Sequence, residues 1–170
     1  MATLEILKYP DPHLQQVCRP IEDFDDELRE FAQNMVETMH GAIGIGLAAP
    51  QVGDDRQLLV ADLSVGQDPE ALLVLANPEV ELEEGEIKGD EGCLSFPDLI
   101  LTVPRPANVV VVGQDLEGNP VRVKADDLMA RCLHHEIDHL LGVLFIDRVS
   151  PLKRDLARRK IAKRIRAGDW

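Results

Sequence analysis

The 170-residue sequence predicts an α+β fold: short, mostly antiparallel strands around a central helix, with one helix before it and one after. Three observations predict this. Apolar residues recur at helical spacing near the start, a strand–turn–strand signal lies past the middle, and two further helical stretches follow it.

Taken in order, Phe24 to His40 reads as the N-terminal helix, because Leu28, Phe31, Ala32, Met35, Val36 and Met39 share one face and Gly41 and Gly44 end it. Residues 58–62 and 72–76 read as short buried strands. Glu79 to Lys88 alternates apolar and acidic residues, as a half-exposed strand would. Asn108–Gln114 and Val121–Lys124 flank Asp115-Leu116-Glu117-Gly118-Asn119, a hairpin signal. Asp126 to Leu141 is the central helix, and Val143 to Ile146 a short extended piece. Ser150-Pro151 then supplies an N-cap and a first-turn proline for the last helix, residues 150–166. That helix has an incomplete apolar stripe (Leu152, Leu156, Ala157, Ile161, Ile165) and is otherwise largely Lys and Arg. No repeat, low-complexity tract or Ser/Gly linker interrupts the chain, so residues 1–170 are expected to form a single domain.

Composition narrows the function. A hydrophobic content of 45% supports a sizeable core. No apolar run approaches the ~20 residues a membrane-spanning helix needs. The start of the chain lacks the basic-then-apolar pattern of a secretory signal, which predicts a cytoplasmic protein. The net charge of −13 argues against DNA or anionic lipid binding by bulk charge. The charge is uneven: Lys153–Trp170 holds eight Lys/Arg against two Asp, and the remainder 10 Lys/Arg against 29 Asp/Glu. A basic end on an acidic body suggests a separate contact for it. The odd count of three cysteines points away from a disulfide framework and toward a metal or catalytic role for at least one.

His135-Glu136-Ile137-Asp138-His139 places two histidines one turn apart on one helix face, so both imidazoles can reach one metal ion, with Glu136 beside it. A third ligand must come from elsewhere. Six residues after His139 stands Phe145, where one protease class has a histidine. No Glu follows Glu136, and Asp147 has no motif around it. The search turns upstream to Glu91-Gly92-Cys93-Leu94-Ser95. A Cys93 thiolate with His135 and His139 leaves a fourth position open. Cys132 is the rival, but it lies about 10 Å along the helix axis from His139, too far for one ion to bridge easily. Cys132 is expected to pack beside the site and Cys18 to be a small buried hydrophobe. His134 points about 100° away from His135. His13 and His40 read as surface residues. A last motif, Gly44-Ile45-Gly46-Leu47-Ala48-Ala49-Pro50-Gln51, mimics a dinucleotide-binding loop, but a helix precedes it and Pro50 and Gly53 spoil a helix after it. It suits placing an extended backbone and the Gln51 amide against a substrate.

These three motifs, in this order, resemble the signatures of the peptide deformylases. The resemblance extends over nearly the whole chain, including Tyr9-Pro10-Asp11-Pro12 and Phe145-Ile146-Asp147. One departure is visible: His134 stands where many members have Gln, at a position that is not a ligand. The resemblance implies hydrolysis of the formyl group from N-formylmethionyl nascent polypeptides, releasing formate. It implies Cys93, His135 and His139 as ligands of one divalent ion, usually Fe²⁺, with Zn²⁺, Ni²⁺ or Co²⁺ as substitutes. It further implies that Glu136 carries protons and that the Leu94 N–H and the Gln51 amide meet the oxyanion. Ile45, Gly46, Leu128 and Cys132 match positions that approach the substrate. Arg105 is expected to brace Glu91, and the basic helix at 150–166 to contact the ribosome. The readings left beside it are a metallopeptidase or amidase of other specificity, and a non-catalytic structural metal module. The latter needs a fourth protein ligand that the motif does not offer.

Overall fold

The computed structural model describes residues 2–170. Its first long helix, α1 (Asp26–Gly41), starts where the Asp25 side chain accepts from the Leu28 amide, and it buries Leu28, Ala32, Met35, Val36 and Met39. Five strands form the main sheet: β1 (Gly46–Ala48), β2 (Leu58–Ala61), β3 (Leu73–Glu84), β6 (Asn108–Gln114) and β7 (Pro120–Asp126), in that spatial order and antiparallel throughout. β4 (Ile87–Cys93) and β5 (Phe96–Arg105) make a separate antiparallel hairpin. The helix α2 (Asp127–Leu140) packs on the main sheet, and α3 (Pro151–Ala167) follows.

Three expectations need correction. The stretches 72–76 and 79–84 are one strand, β3, which passes through Asn77 at φ 51 with a break in register between Ala76 and Glu79. The alternating stretch 79–88 is not one strand, because the chain turns at Gly85 (φ 70) and Ile87 already begins β4. The extended piece expected at 143–146 stops at Leu144 (φ −109, ψ 156). Phe145–Arg148 form a single 3-10 turn, in which the Asp147 carboxylate accepts from the Leu144 amide at 3.0 Å. The β4–β5 hairpin was not foreseen, since Pro97 and Pro104 disguise β5 as a loop.

The core divides into three apolar clusters. One joins the inner face of the main sheet to α2 through Leu59, Leu75, Val111, Leu133 and Ile137. The second joins α1 to β1 and β2. The third holds Phe96, Leu99, Phe145 and, from α3, Ala157 and Ile161. Only those two residues of the expected α3 stripe are buried. Leu152, Leu156 and Ile165 lie largely in solvent. The N-cap of α3 is Ser150, as expected, and Gly168 in the left-handed region ends it.

Candidate active site

α2 cannot be explained as an ordinary amphipathic helix. Every residue from Ala130 to Leu140 is buried, among them Arg131, His134, His135, Glu136, Asp138 and His139. Charges are tolerated inside a protein only when paired, and here the partners come from the β4–β5 hairpin. The Arg105 guanidinium is fully buried. Its Nε and Nη2 donate to the two Glu91 oxygens at 2.7 and 2.8 Å, and its Nη1 donates to Asp138 Oδ2 at 2.6 Å and to His134 Nδ1 at 2.8 Å. The expected Glu91–Arg105 pair is therefore present, within a larger network. Arg131 Nη1 also donates to Glu91, at 3.0 Å, and Arg148 closes on Asp138. Burial works against the Glu91 charge, but the hydrogen bonds from Arg105 and His135 outweigh it and hold the carboxyl well below its usual range.

This network orients the first histidine of the motif, while His139, one turn on, faces it from the same helix. His135 Nδ1 donates to Glu91 Oε2 at 2.7 Å, which turns its Nε2 toward His139. The two Nε2 atoms stand 3.2 Å apart, and His139 Nε2 lies 3.4 Å from Cys93 Sγ. Ligand atoms of Cys93, His135 and His139 all fall within 4.8 Å of one another. One thiolate and two imidazoles, with no acceptor other than one another on their facing atoms, is a donor set that fits a divalent transition metal. Cys132 is not part of it. Its Sγ donates to the Ile45 carbonyl at 3.4 Å, and burial pushes its thiol well above the ordinary range.

Glu136 lies on the same helix, and its Oε2 is buried with no hydrogen-bond partner among the described residues. Burial pushes its carboxyl up to about 7. The motif Gly44–Gln51 supplies the opposite wall. A Cβ on Gly46 would come within 2.6 Å of Glu136 Oε1 and 2.9 Å of Cys132 Sγ, and one on Gly44 within 2.7 Å of the Leu94 side chain. Gln51 has its amide fixed at both ends. Oε1 accepts from Ala48 N at 2.9 Å, so Nε2 faces Ser95 Oγ at 3.1 Å and Cys93 Sγ at 3.7 Å.

These groups lie along a cleft of about 420 Å³. Ile45, Gly46, Gln51, Cys93, Leu94, Cys132, His135 and Glu136 line it together with Leu128, whose side chain is half exposed at the rim beside Ile43 and Ile100. His139 lies deeper. His13 is exposed, as expected. His40 is not a free surface residue: its Nε2 lies 2.8 Å from Asp62 Oδ2, a nearly fully buried carboxylate that also accepts from Ser64 and Gly66. Sequence reasoning missed Arg131, Asp138 and Ser95. For the first two a signal existed, because a helix with charges on every face must find buried partners if its histidines meet a metal.

The geometry has counterparts. The family model for polypeptide deformylase matches residues 3–155. The chain belongs to the polypeptide deformylase family. Among curated relatives, a peptide deformylase of Acidobacterium capsulatum is 49% identical over 165 residues, covering 97% of each chain. One of Thermodesulfovibrio yellowstonii is 48% identical over 94% of this chain and 97% of its own. The crystal structure of a peptide deformylase from Legionella pneumophila superposes with a TM-score of 0.90 at 42% identity, covering 98% of this chain and 97% of that one. As a deformylase, the protein is a metal-dependent hydrolase that removes the formyl group from the N-terminus of nascent peptides. The α+β fold is the family's. Among the described residues, no helix is long and apolar enough to cross a membrane.

Proposed function

We propose that Cys93, His135 and His139 hold one ferrous ion at the floor of the cleft, and that Glu136, Gln51 and Leu94 carry out deformylation beside it. The observation that supports this most is the convergence of the three ligand atoms within 4.8 Å next to the unpartnered Glu136 carboxylate. When bound, the ion supplies a Lewis acid for the formyl oxygen and makes a water acidic enough to lose a proton near neutral pH. Glu136 takes that proton on Oε2 and later delivers it to the departing amine. Burial, which favours the neutral carboxyl, helps it to take up that proton. The Leu94 N–H and Gln51 Nε2 donate to the oxygen that becomes negative as the formyl carbon turns tetrahedral. The Ala48 amide, by holding Gln51 Oε1, keeps Nε2 aimed into the cleft. Ile45, Gly46, Leu128 and Cys132 receive the methionine side chain, with Gly46 leaving room for both substrate and Glu136.

The nascent chain is met in the cytoplasm. The exposed basic side of α3 suits a polyanionic surface there, and we assign it to the ribosome, with binding that weakens steeply as salt rises. Charge reversal at exposed Arg158, Arg159 and Lys160 tests this better than deletion, because Ala157 and Ile161 belong to the core. The site itself is tested by formate release from formyl-Met-Ala. Activity should vanish with a chelator and return best with ferrous iron added anaerobically. Persistence of activity in the metal-free protein would refute the assignment.

A further inference from the structure

The match to the family model ends at residue 155, inside α3. Beyond it lies Trp170, the single tryptophan of the chain, and it is not left in solvent. Gly168, at φ 76, turns the backbone off the helix. The indole Nε1 then donates to the Tyr9 carbonyl at 2.6 Å, and the ring stands edge-on to Phe96 with centroids 6.3 Å apart. The Arg164 guanidinium lies over the indole at 5.1 Å and donates to the Pro97 carbonyl at 2.6 Å and to the Asp169 carbonyl at 2.8 Å.

What these groups grip is the turn of the β4–β5 hairpin. Phe96 pairs with Cys93 across that turn. The Tyr9 amide donates to the Ser95 carbonyl at 2.9 Å, and the Tyr9 ring stacks on Phe96 at 5.0 Å. Phe96 also meets Phe145 edge-on at 4.9 Å, and Phe145 meets the His135 ring at 5.8 Å. Trp170 and Arg164 therefore hold, through backbone carbonyls, the start of β5 at Pro97 and the Tyr9 segment that is hydrogen-bonded to Ser95, both on the side where the chain leaves the Cys93-Leu94-Ser95 turn.

We propose that Trp170 and Arg164 form a latch that positions the Cys93–Leu94–Ser95 turn for deformylation. They are positioning residues, acting through Tyr9, Phe96 and Pro97, and the inference rests on the roles proposed above for Cys93 and Leu94. A backbone donor helps an oxyanion only at hydrogen-bond distance from where the charge develops. A misplacement of about 1 Å in such a group can cost ~10²-fold. A contact that merely capped α3 would have no reason to reach two carbonyls on separate segments that both adjoin the exit of this turn.

The test uses the full chain, metal-loaded, at a temperature well below unfolding. Trp170→Ala, Trp170→Phe and Arg164→Gln are compared with the parent for kcat and KM on formyl-Met-Ala, normalised to bound metal. In Trp170→Ala, kcat should fall about tenfold with KM little changed, as expected for loss of transition-state alignment. Trp170→Phe, which keeps the ring contact and loses the N–H donor, should fall in between. Because Trp170 is the one indole, its emission in Arg164→Gln should shift to the red as the latch loosens. A kcat per bound metal within about twofold of the parent in Trp170→Ala would overturn the proposal. Should that variant not fold, the same threshold applied to Arg164→Gln decides it. Glu136→Gln, run alongside, separates the two readings: full activity there with loss in the Trp170 variants would remove the catalytic assignment and leave the latch.

Discussion

Glu136 and Arg105 are both buried and both ionisable, yet the fold treats them oppositely. Arg105 has every nitrogen paired, whereas Glu136 Oε2 has no partner. Leaving a carboxylate unsatisfied in the interior is costly and is expected where the group must exchange protons. Glu136→Gln should lower kcat by ~10²–10⁴-fold, the range for loss of a general acid–base group. Metal content should stay that of the parent, because Glu136 is not among the converging ligands. Near-parent turnover would take Glu136 out of the chemistry. Arg105→Ala should act on stability instead. It strands Glu91 and Asp138 without their buried counter-charge, for which about 3–5 kcal/mol is typical. Urea unfolding of the metal-free variant measures this, and a loss below about 1 kcal/mol would mean that Arg131 and Arg148 replace it.

At the scale of elements, the site is a meeting of α2, the β4–β5 turn and the β1 segment, and close approach is the condition for it. Gly46 opens β1 and faces the carboxylate of Glu136. Gly46→Ala places a methyl carbon 2.6 Å from Glu136 Oε1, closer than the two atoms can stand, so the carboxylate must swing aside. The same methyl would stand 2.9 Å from the buried Cys132 Sγ, so some overpacking strain, about 1–3 kcal/mol, should lower the melting temperature by several degrees. Formate release should fall far more than that. Equal activity in Gly46→Ala and parent would show that the Glu136 position seen here is not the working one. Gly142 after α2 has a different reason for being glycine: its φ is 75 and a Cβ there would strike the Gln15 carbonyl at 2.7 Å.

For the molecule as a whole, acid stability follows from carboxylates held ionised inside it. Asp62 is one such group. Burial opposes its charge, but hydrogen bonds from Ser64, His40 and Gly66 prevail and lower its pKa to about 2. A depressed carboxyl stabilises the fold above its unfolded value of about 4 and loses that contribution as the pH falls toward 2. Stability of the parent should therefore decline across pH 4 to 2. In Asp62→Asn the decline over this window should be shallower, though the starting stability is lower because the asparagine offers one carbonyl oxygen where the carboxylate had two. Unfolding free energies measured every half unit would show it, and identical slopes would exclude Asp62 as a source of acid lability.

The chain order of its motifs made much of this protein readable. Helical spacing set α1, the Ser150-Pro151 pair set the start of α3, and His135-Glu136-Ile137-Asp138-His139 put two imidazoles on one face, because those patterns depend on neighbours within a turn or two. Cys93 could be ranked above Cys132 from helix geometry alone, and the structure brings Cys93 to the histidines. The β4–β5 hairpin could not be read, since its two prolines speak against a strand and only pairing across the turn makes one. Nor could the burial of Arg105, Arg131 and Asp138, or the grip of Trp170 on Tyr9. Each joins residues far apart in the chain, and a buried charge or an aromatic edge has no local signature. Local sequence chose which side chains could bind a metal and move a proton; the tertiary structure decided which partners hold them still, because that depends on desolvation and contacts that exist only once the chain has closed on itself.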